Sequence, residues 1–156
     1  MNLILWRHAE AEPGTPDLAR NLTGKGKRQA SAMAAWLTPF LPKGARILVS
    51  PANRTRQTAD ALGLSYELCK EVAPDADAQG ILHACGWPGA DESDDTVVVV
   101  GHQPALGQTA ALLMTQSAAE WSMKKGAVWW LSNRVKEGAF EVIIKAAMSP
   151  DLLRVK

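Results

Sequence analysis

Apolar residues along this chain come in short blocks, and several blocks stop on arginine or histidine. Residues 2–6, N-L-I-L-W, are almost wholly apolar and end at Arg7-His8. A run of that length without polar alternation is the pattern of a strand covered on both faces. Residues 46–49 and 96–100 repeat it, the second with four consecutive valines, and a shorter strand is expected at 66–68. Two further blocks, 127–132 and 140–146, are joined by a polar turn containing Glu137-Gly138, the spacing of an antiparallel hairpin.

Between the strands the apolar period changes to that of helices. Thr23 is placed to cap a helix whose apolar face is Ala30, Met33, Ala34 and Leu37, and Pro39 and Pro42 end it. Ser50-Pro51 matches a cap serine with proline at the first helical position, opening a helix through Ala61 that Gly63 closes. A short helix is expected at 77–85. Pro104 fits the first position of another, running to about Met114. Residues 9–22, with Pro13, Gly14, Pro16 and Asp17, read as a loop, as does the polar stretch 87–95.

Strand and helix alternate through the first two-thirds. This predicts an α/β fold, a three-layer α/β/α sandwich with a mostly parallel central sheet and an antiparallel C-terminal hairpin. The adjacent Trp129 and Trp130 would point to opposite faces of their strand, so the six tryptophans are expected to fill the core rather than to form a ligand cage.

Length adds that 156 residues suit a single domain over 1–156, which buries roughly two-thirds of its unfolded surface. The charges nearly cancel, with 17 basic against 16 acidic residues, so neither nucleic acid nor an anionic membrane is expected as a bulk partner. The first apolar block is too short for a secretion signal or a membrane span, and the expected location is the cytoplasm. Cys69 and Cys85 lack paired metal-ligand spacing and read as reduced thiols.

In open α/β sheets the ligand crevice lies beyond the carboxyl ends of the parallel strands. Three polar groups fall there: Arg7-His8 after the first strand, Arg54 in S-P-A-N-R-T-R-Q-T-A after the second, and His102 in V-V-V-V-G-H-Q-P after the valine strand. Brought together, such cations need an anion, and arginine forks with helix amino ends suit a phosphate-like group. No Walker or dinucleotide fingerprint, G-x-S-x-G elbow or H-E-x-x-H helix offers another chemistry. A neutral imidazole next to arginine can attack phosphorus directly.

R-H-A-E-A, N-L-T-x-x-G-x-x-Q-A, S-P-x-x-R-T-R-Q-T-A, V-V-V-V-G-H-Q-P and the closing M-S-P stand in this order over nearly the whole chain. Together they resemble the histidine phosphatase (phosphoglycerate mutase-like) superfamily, and within it the SixA-type phosphohistidine phosphatases. The resemblance implies a phosphatase without a cofactor or metal. His8 would be the nucleophile that becomes phosphorylated, Arg7 and Arg54 the phosphoryl-oxygen ligands, and His102 a cationic second histidine stabilising charge in the transition state. Arg20 matches an arginine that reaches the phosphate or its protein carrier. The implied partner is a phosphorylated protein, in a two-component pathway a histidine-containing phosphotransfer domain, with phosphate as product.

Two positions depart from the family pattern. Ala9 replaces the usual glycine after the nucleophile. The acidic residue that larger members supply from the middle segment has no clear match, leaving Glu10, Asp75 or Asp77 as proton donor. A phosphohistidine leaves as weakly basic imidazole and needs less acid help than an alkoxide, so the gap favours phosphoramidate substrates. A phosphomonoesterase for small metabolites and a non-catalytic phosphoprotein-binding module are the rival readings. His83 is expected to be structural, and Lys25, Lys27 and Arg28 form a basic cluster, either a solvated face or a dock for an acidic partner.

Overall fold

A computed structural model of the chain describes residues 1–90 and 93–155; Asp91 and Glu92, in the polar stretch expected at 87–95, and Lys156 lie outside the described residues. Six strands form one sheet: β1 (Asn2–Arg7), β2 (Arg46–Val49), β3 (Glu67–Leu68), β4 (Thr96–Gly101), β5 (Val128–Lys136) and β6 (Ala139–Met148). Their order is β3-β2-β4-β1-β5-β6. The first four are parallel, β5 runs antiparallel to β1, and β6 runs antiparallel to β5. The expected α/β sandwich with its antiparallel C-terminal hairpin is the observed fold.

Four helices cover the sheet: α1 (Gly24–Leu37), α2 (Asn53–Asp60), α3 (Ala78–Cys85) and α4 (Ala105–Thr115). Alternate strand residues serve alternate layers. Leu3, Leu5, Val97 and Val99 pack with Ile81 of α3 and Leu106 of α4. Ile4, Trp6, Val98 and Val100 pack with Met33 and Leu37 of α1 and Ala59 of α2. Both faces are therefore apolar, which is why these strands show no polar alternation. Each fully buried Leu or Ile of β1 contributes roughly 1.5–3 kcal/mol by leaving water. All six tryptophans belong to these two clusters or pack against them.

Three boundaries differ from expectation. α2 starts at Asn53 with Ala52 at the cap position, and the Ser50 oxygen, one turn short of the helix, accepts from Ala52 N at 3.3 Å and from His102 Nε2 at 2.7 Å. β5 extends past its apolar block through Asn133, Arg134 and Lys136, whose polarity hides the strand, and β6 runs from Ala139 to Met148, a little beyond its block at each end. Glu137 and Gly138 turn the hairpin with φ of 52° and 78°, the left-handed pair that suits a two-residue connection. Thr23 caps α1 as expected, its hydroxyl accepting from Gly26 N at 2.9 Å. Among the described residues no helix is long and apolar enough to cross a membrane.

β1 and β4 are neighbours, yet the chain leaves β1 for helices on one face and leaves β4 for α4 on the other. The two exits part at the carboxyl ends and open a crevice there. Arg7 lies opposite Gly101, so His8 and His102 emerge side by side.

The first turn of α1 rests against the loop that follows His8. Thr23 N donates to Glu10 O at 3.0 Å, and a Cβ on Gly26 would run into that same carbonyl oxygen. A Gly26→Ala variant should lose about 1–3 kcal/mol in urea unfolding. Gly24→Ala, whose nearest neighbour is the movable end of Arg28 at 3.5 Å, should change by less than about 0.5 kcal/mol. Equal stabilities would refute this packing.

Candidate active site

His8 owes its position to the backbone on both sides. Its N–H donates to Gly101 O at 3.1 Å and its carbonyl accepts from Gly126 N at 2.9 Å, while the next amide, Ala9 N, donates to Thr58 Oγ1 at 3.1 Å. Thr58 in turn donates to Arg54 O at 2.8 Å, tying the residue after the histidine to the helix that carries the arginine. The His8 ring donates from Nδ1 to Ala9 O at 2.7 Å. A carbonyl can only accept, so the proton sits on Nδ1 and the lone pair on Nε2.

His102 holds the opposite tautomer. Arg54 Nη2 donates to its Nδ1 at 3.3 Å, so Nε2 carries the proton and donates to Ser50 Oγ at 2.7 Å. The two rings lie 5.3 Å apart, centre to centre. Arg54 is only 4% exposed and is aimed by Asp17, whose carbonyl accepts from Nη1 at 2.9 Å and whose carboxylate accepts from Nη2 at 3.0 Å. The same carboxylate accepts from Arg20 Nη1 at 3.0 Å, and Arg20 Nε donates to Glu12 O. Arg7 reaches across to Met123 O at 2.6 Å. The Nε atoms of Arg7 and Arg54 are buried and unpartnered among the described residues.

Arg7, His8, Arg20, Arg54 and His102 line one pocket of about 210 Å³, together with Pro74, Gln103 and Lys125. All five residues expected to handle phosphate thus meet in one place. The three carboxylates offered as proton donor are not among its lining residues. Glu10 accepts from the Thr23 hydroxyl in an adjoining depression, and Asp77 caps α3 through Gly80 N. Asp75 is exposed one residue beyond Pro74. His83 lies on the surface with Glu71 Oε2 at 2.8 Å, and Cys69 and Cys85 are free thiols. No group of three His, Cys, Asp or Glu residues among the described residues is placed to hold a metal.

Asp17, Ser50, Thr58 and Lys125 escaped the sequence reading. Asp17 and Arg20 share a local signature, opposite charges three residues apart in a loop. Ser50 was read as a helix cap, and nothing in the local pattern of Thr58 or Lys125 distinguishes them from ordinary helix and turn residues.

Burial holds both imidazoles neutral. Desolvation lowers His8 to about 4, with the arginines adding to the effect against its bond to Ala9 O. Desolvation, then His8 and Arg54, lower His102 to about 3. The cationic state expected of His102 in the transition state thus requires an anion in the pocket, since burial between cations otherwise holds the ring neutral. Asp17 is held below the ordinary carboxylate range by Arg20 and Arg54. Both histidines titrate below 6.5 when folded, so the unfolded chain binds more protons between about pH 4 and 6.5. Stability is thus full above pH 6.5 and falls as the solution is acidified. In oxyanion-free buffer the unfolding free energy should drop by about 2 kcal/mol per histidine from pH 7 to 5. His102→Gln should remove its share of that slope, and a flat profile in the parent protein would contradict neutral buried rings.

Comparison with known proteins agrees with this geometry. Residues 3–77 match the model of the histidine phosphatase superfamily (branch 1). Phosphohistidine phosphatase SixA of Escherichia coli (strain K12) is 31% identical over 120 residues, 72% of this chain and 74% of that protein. The structure of the protein histidine phosphatase SixA complexed with tungstate superposes with a TM-score of 0.76 at 25% identity, covering 98% of this chain and 99% of that one. The mycobacterial glucosyl-3-phosphoglycerate phosphatase shares the fold, with a TM-score of 0.66 at 20% identity over 93% and 97% of the two chains. The chain belongs to the histidine phosphatase superfamily and is a phosphatase.

Proposed function

We propose that this phosphatase, as one catalytic domain spanning the chain and located in the cytoplasm, hydrolyses phosphohistidine carried on a protein. The observation that carries the reading is the pocket's composition: a neutral histidine with its lone pair on Nε2, three arginines, and no carboxylate among the described lining residues. Arg7, Arg20 and Arg54 bind the phosphoryl oxygens. The buried Nε atoms of Arg7 and Arg54 are donors still lacking an acceptor. A tetrahedral or octahedral oxyanion such as the tungstate in SixA is the kind of ligand such a donor set takes.

In the first step Nε2 of His8 forms a bond to phosphorus while the bond from phosphorus to the substrate imidazole breaks. The other nitrogen of the substrate ring takes a proton from solvent near the ordinary imidazole pKa of about 6.5, and in that form the imidazole departs neutral without an acid from the pocket. In the second step water attacks phosphorus, His8 leaves with its lone pair restored, and inorganic phosphate is released. As the phosphoryl dianion enters, Arg54 turns its Nη2 from His102 Nδ1 to the phosphoryl oxygens; Nδ1 takes a proton from solvent while Nε2 still donates to Ser50, and the resulting imidazolium stabilises the negative charge of the transition state. An alkyl phosphate would instead expel an alkoxide with no carboxylic acid at hand. Of the partners implied by the family, a histidine-containing phosphotransfer domain fits the shallow pocket, which a side chain on another protein can enter.

Turnover of two peptides of identical sequence, one bearing phosphohistidine and one phosphoserine, tests the reading. The phosphohistidine peptide should show kcat/KM higher by about 10²-fold or more, the share that general acid catalysis contributes where it is needed. Preference for the serine ester would mean a metabolite or phosphoester phosphatase.

A further inference from the structure

A second depression of about 270 Å³ adjoins the phosphoryl pocket, and Lys125 lines both. Across it stands Lys25, in the first turn of α1. Neither lysine makes a hydrogen bond or ion pair among the described residues. Among the described lining residues Lys25, Lys124 and Lys125 outnumber the carboxylates Glu10 and Asp151, so the depression keeps a net positive charge. Asp151 accepts from Lys124 at 3.1 Å and from the Ser149 hydroxyl, and Glu10 accepts from the Thr23 hydroxyl at 2.8 Å.

Lys125 is also fixed relative to the nucleophile. It sits in a turn closed by Ala127 N donating to Lys124 O at 3.0 Å, with Gly126 at φ 77° supplying the left-handed position. The N–H of that same Gly126 donates to the His8 carbonyl. Backbone that holds His8 in place therefore also holds a free ammonium at the pocket's edge. A phosphoryl group seated on His8 would leave the carrier's flanking residues over this depression, facing two unpaired cations.

We infer that Lys25 and Lys125 form a docking site for carboxylates flanking the phosphohistidine of an acidic protein partner. The inference rests on the phosphohistidine reading and adds the charge of the carrier's surface to it. The basic cluster at the start of α1 contributes through Lys25, the member of that cluster that lines the depression. Each exposed pairing is worth little alone, but two act together on one ligand.

The test uses two phosphohistidine peptides that differ only in flanking residues, Asp and Glu in one and Ser and Gln in the other. The parent protein should favour the acidic peptide in kcat/KM by about three- to tenfold at low salt, and added sodium chloride should shrink the preference. The double variant Lys25→Glu, Lys125→Glu should reverse the preference, while Lys25→Arg, Lys125→Arg should retain it. Turnover of both peptides with no charge preference, or a preference unchanged in the Glu variant, would overturn the docking site and leave the phosphohistidine reading standing. Turnover of neither peptide, with a phosphoserine peptide still cleaved, would overturn both.

Discussion

Two arginines and two buried imidazoles meet at the carboxyl end of one strand pair, and the cost of placing a further positive charge among them shapes everything around them. The pairing of β1 with β4 puts Arg7 opposite Gly101 and so sets His8 beside His102. Arg54 arrives from α2 and adds a second guanidinium, only 4% exposed, to the same pocket. The molecule accommodates this by keeping both rings neutral and by lending Arg54 the carboxylate of Asp17 from a loop. Neutrality leaves a lone pair on Nε2 of His8 at ordinary pH. Asp17 is only a partial counter-ion, since it leaves the Nε donors of Arg7 and Arg54 unused, and an arriving phosphoryl dianion completes the set.

The rest of the fold can be read as support for that cluster. β1 is buried on both faces, so the backbone leading to His8 is rigid, and hydrogen bonds from Gly126 and to Gly101 continue that rigidity one residue past the strand. Thr58 links the residue after the nucleophile to the turn of α2 that carries Arg54. Gly26 lets α1 press its backbone against Glu10, closing the loop over the site from the other side. With no carboxylate among the described lining residues, the pocket of this phosphatase is built from cations, neutral rings and amides on a rigid frame.

Most of the layout was legible because it depends on burial. The apolar runs at β1, β2 and β4 and the faces of α1 and α4 reveal themselves through period alone, and the strand-helix alternation places Arg7, His8, Arg54 and His102 at one sheet edge. What stayed hidden depends on tertiary contact. Ser50 looks like a helix cap, but a buried His102 proton claims its hydroxyl. β5 runs on beyond its apolar block because pairing with β6, not burial, holds its polar end. Lys125 is one basic residue among many until the turn at Gly126 brings it against the nucleophile's carbonyl. The neutrality of His102 before an anion enters is hidden for the same reason: sequence shows the company a histidine keeps, not how far water is excluded from it.

The account stands on His8 carrying the phosphoryl group between substrate and water. Rapid alkaline quenching of the enzyme during turnover of a radiolabelled phosphohistidine peptide, followed by peptide mapping, tests this directly. The account predicts an alkali-stable, acid-labile phosphate on the peptide containing His8, absent from a His8→Ala variant. Label on His102, or steady turnover with no label on the enzyme, would contradict it.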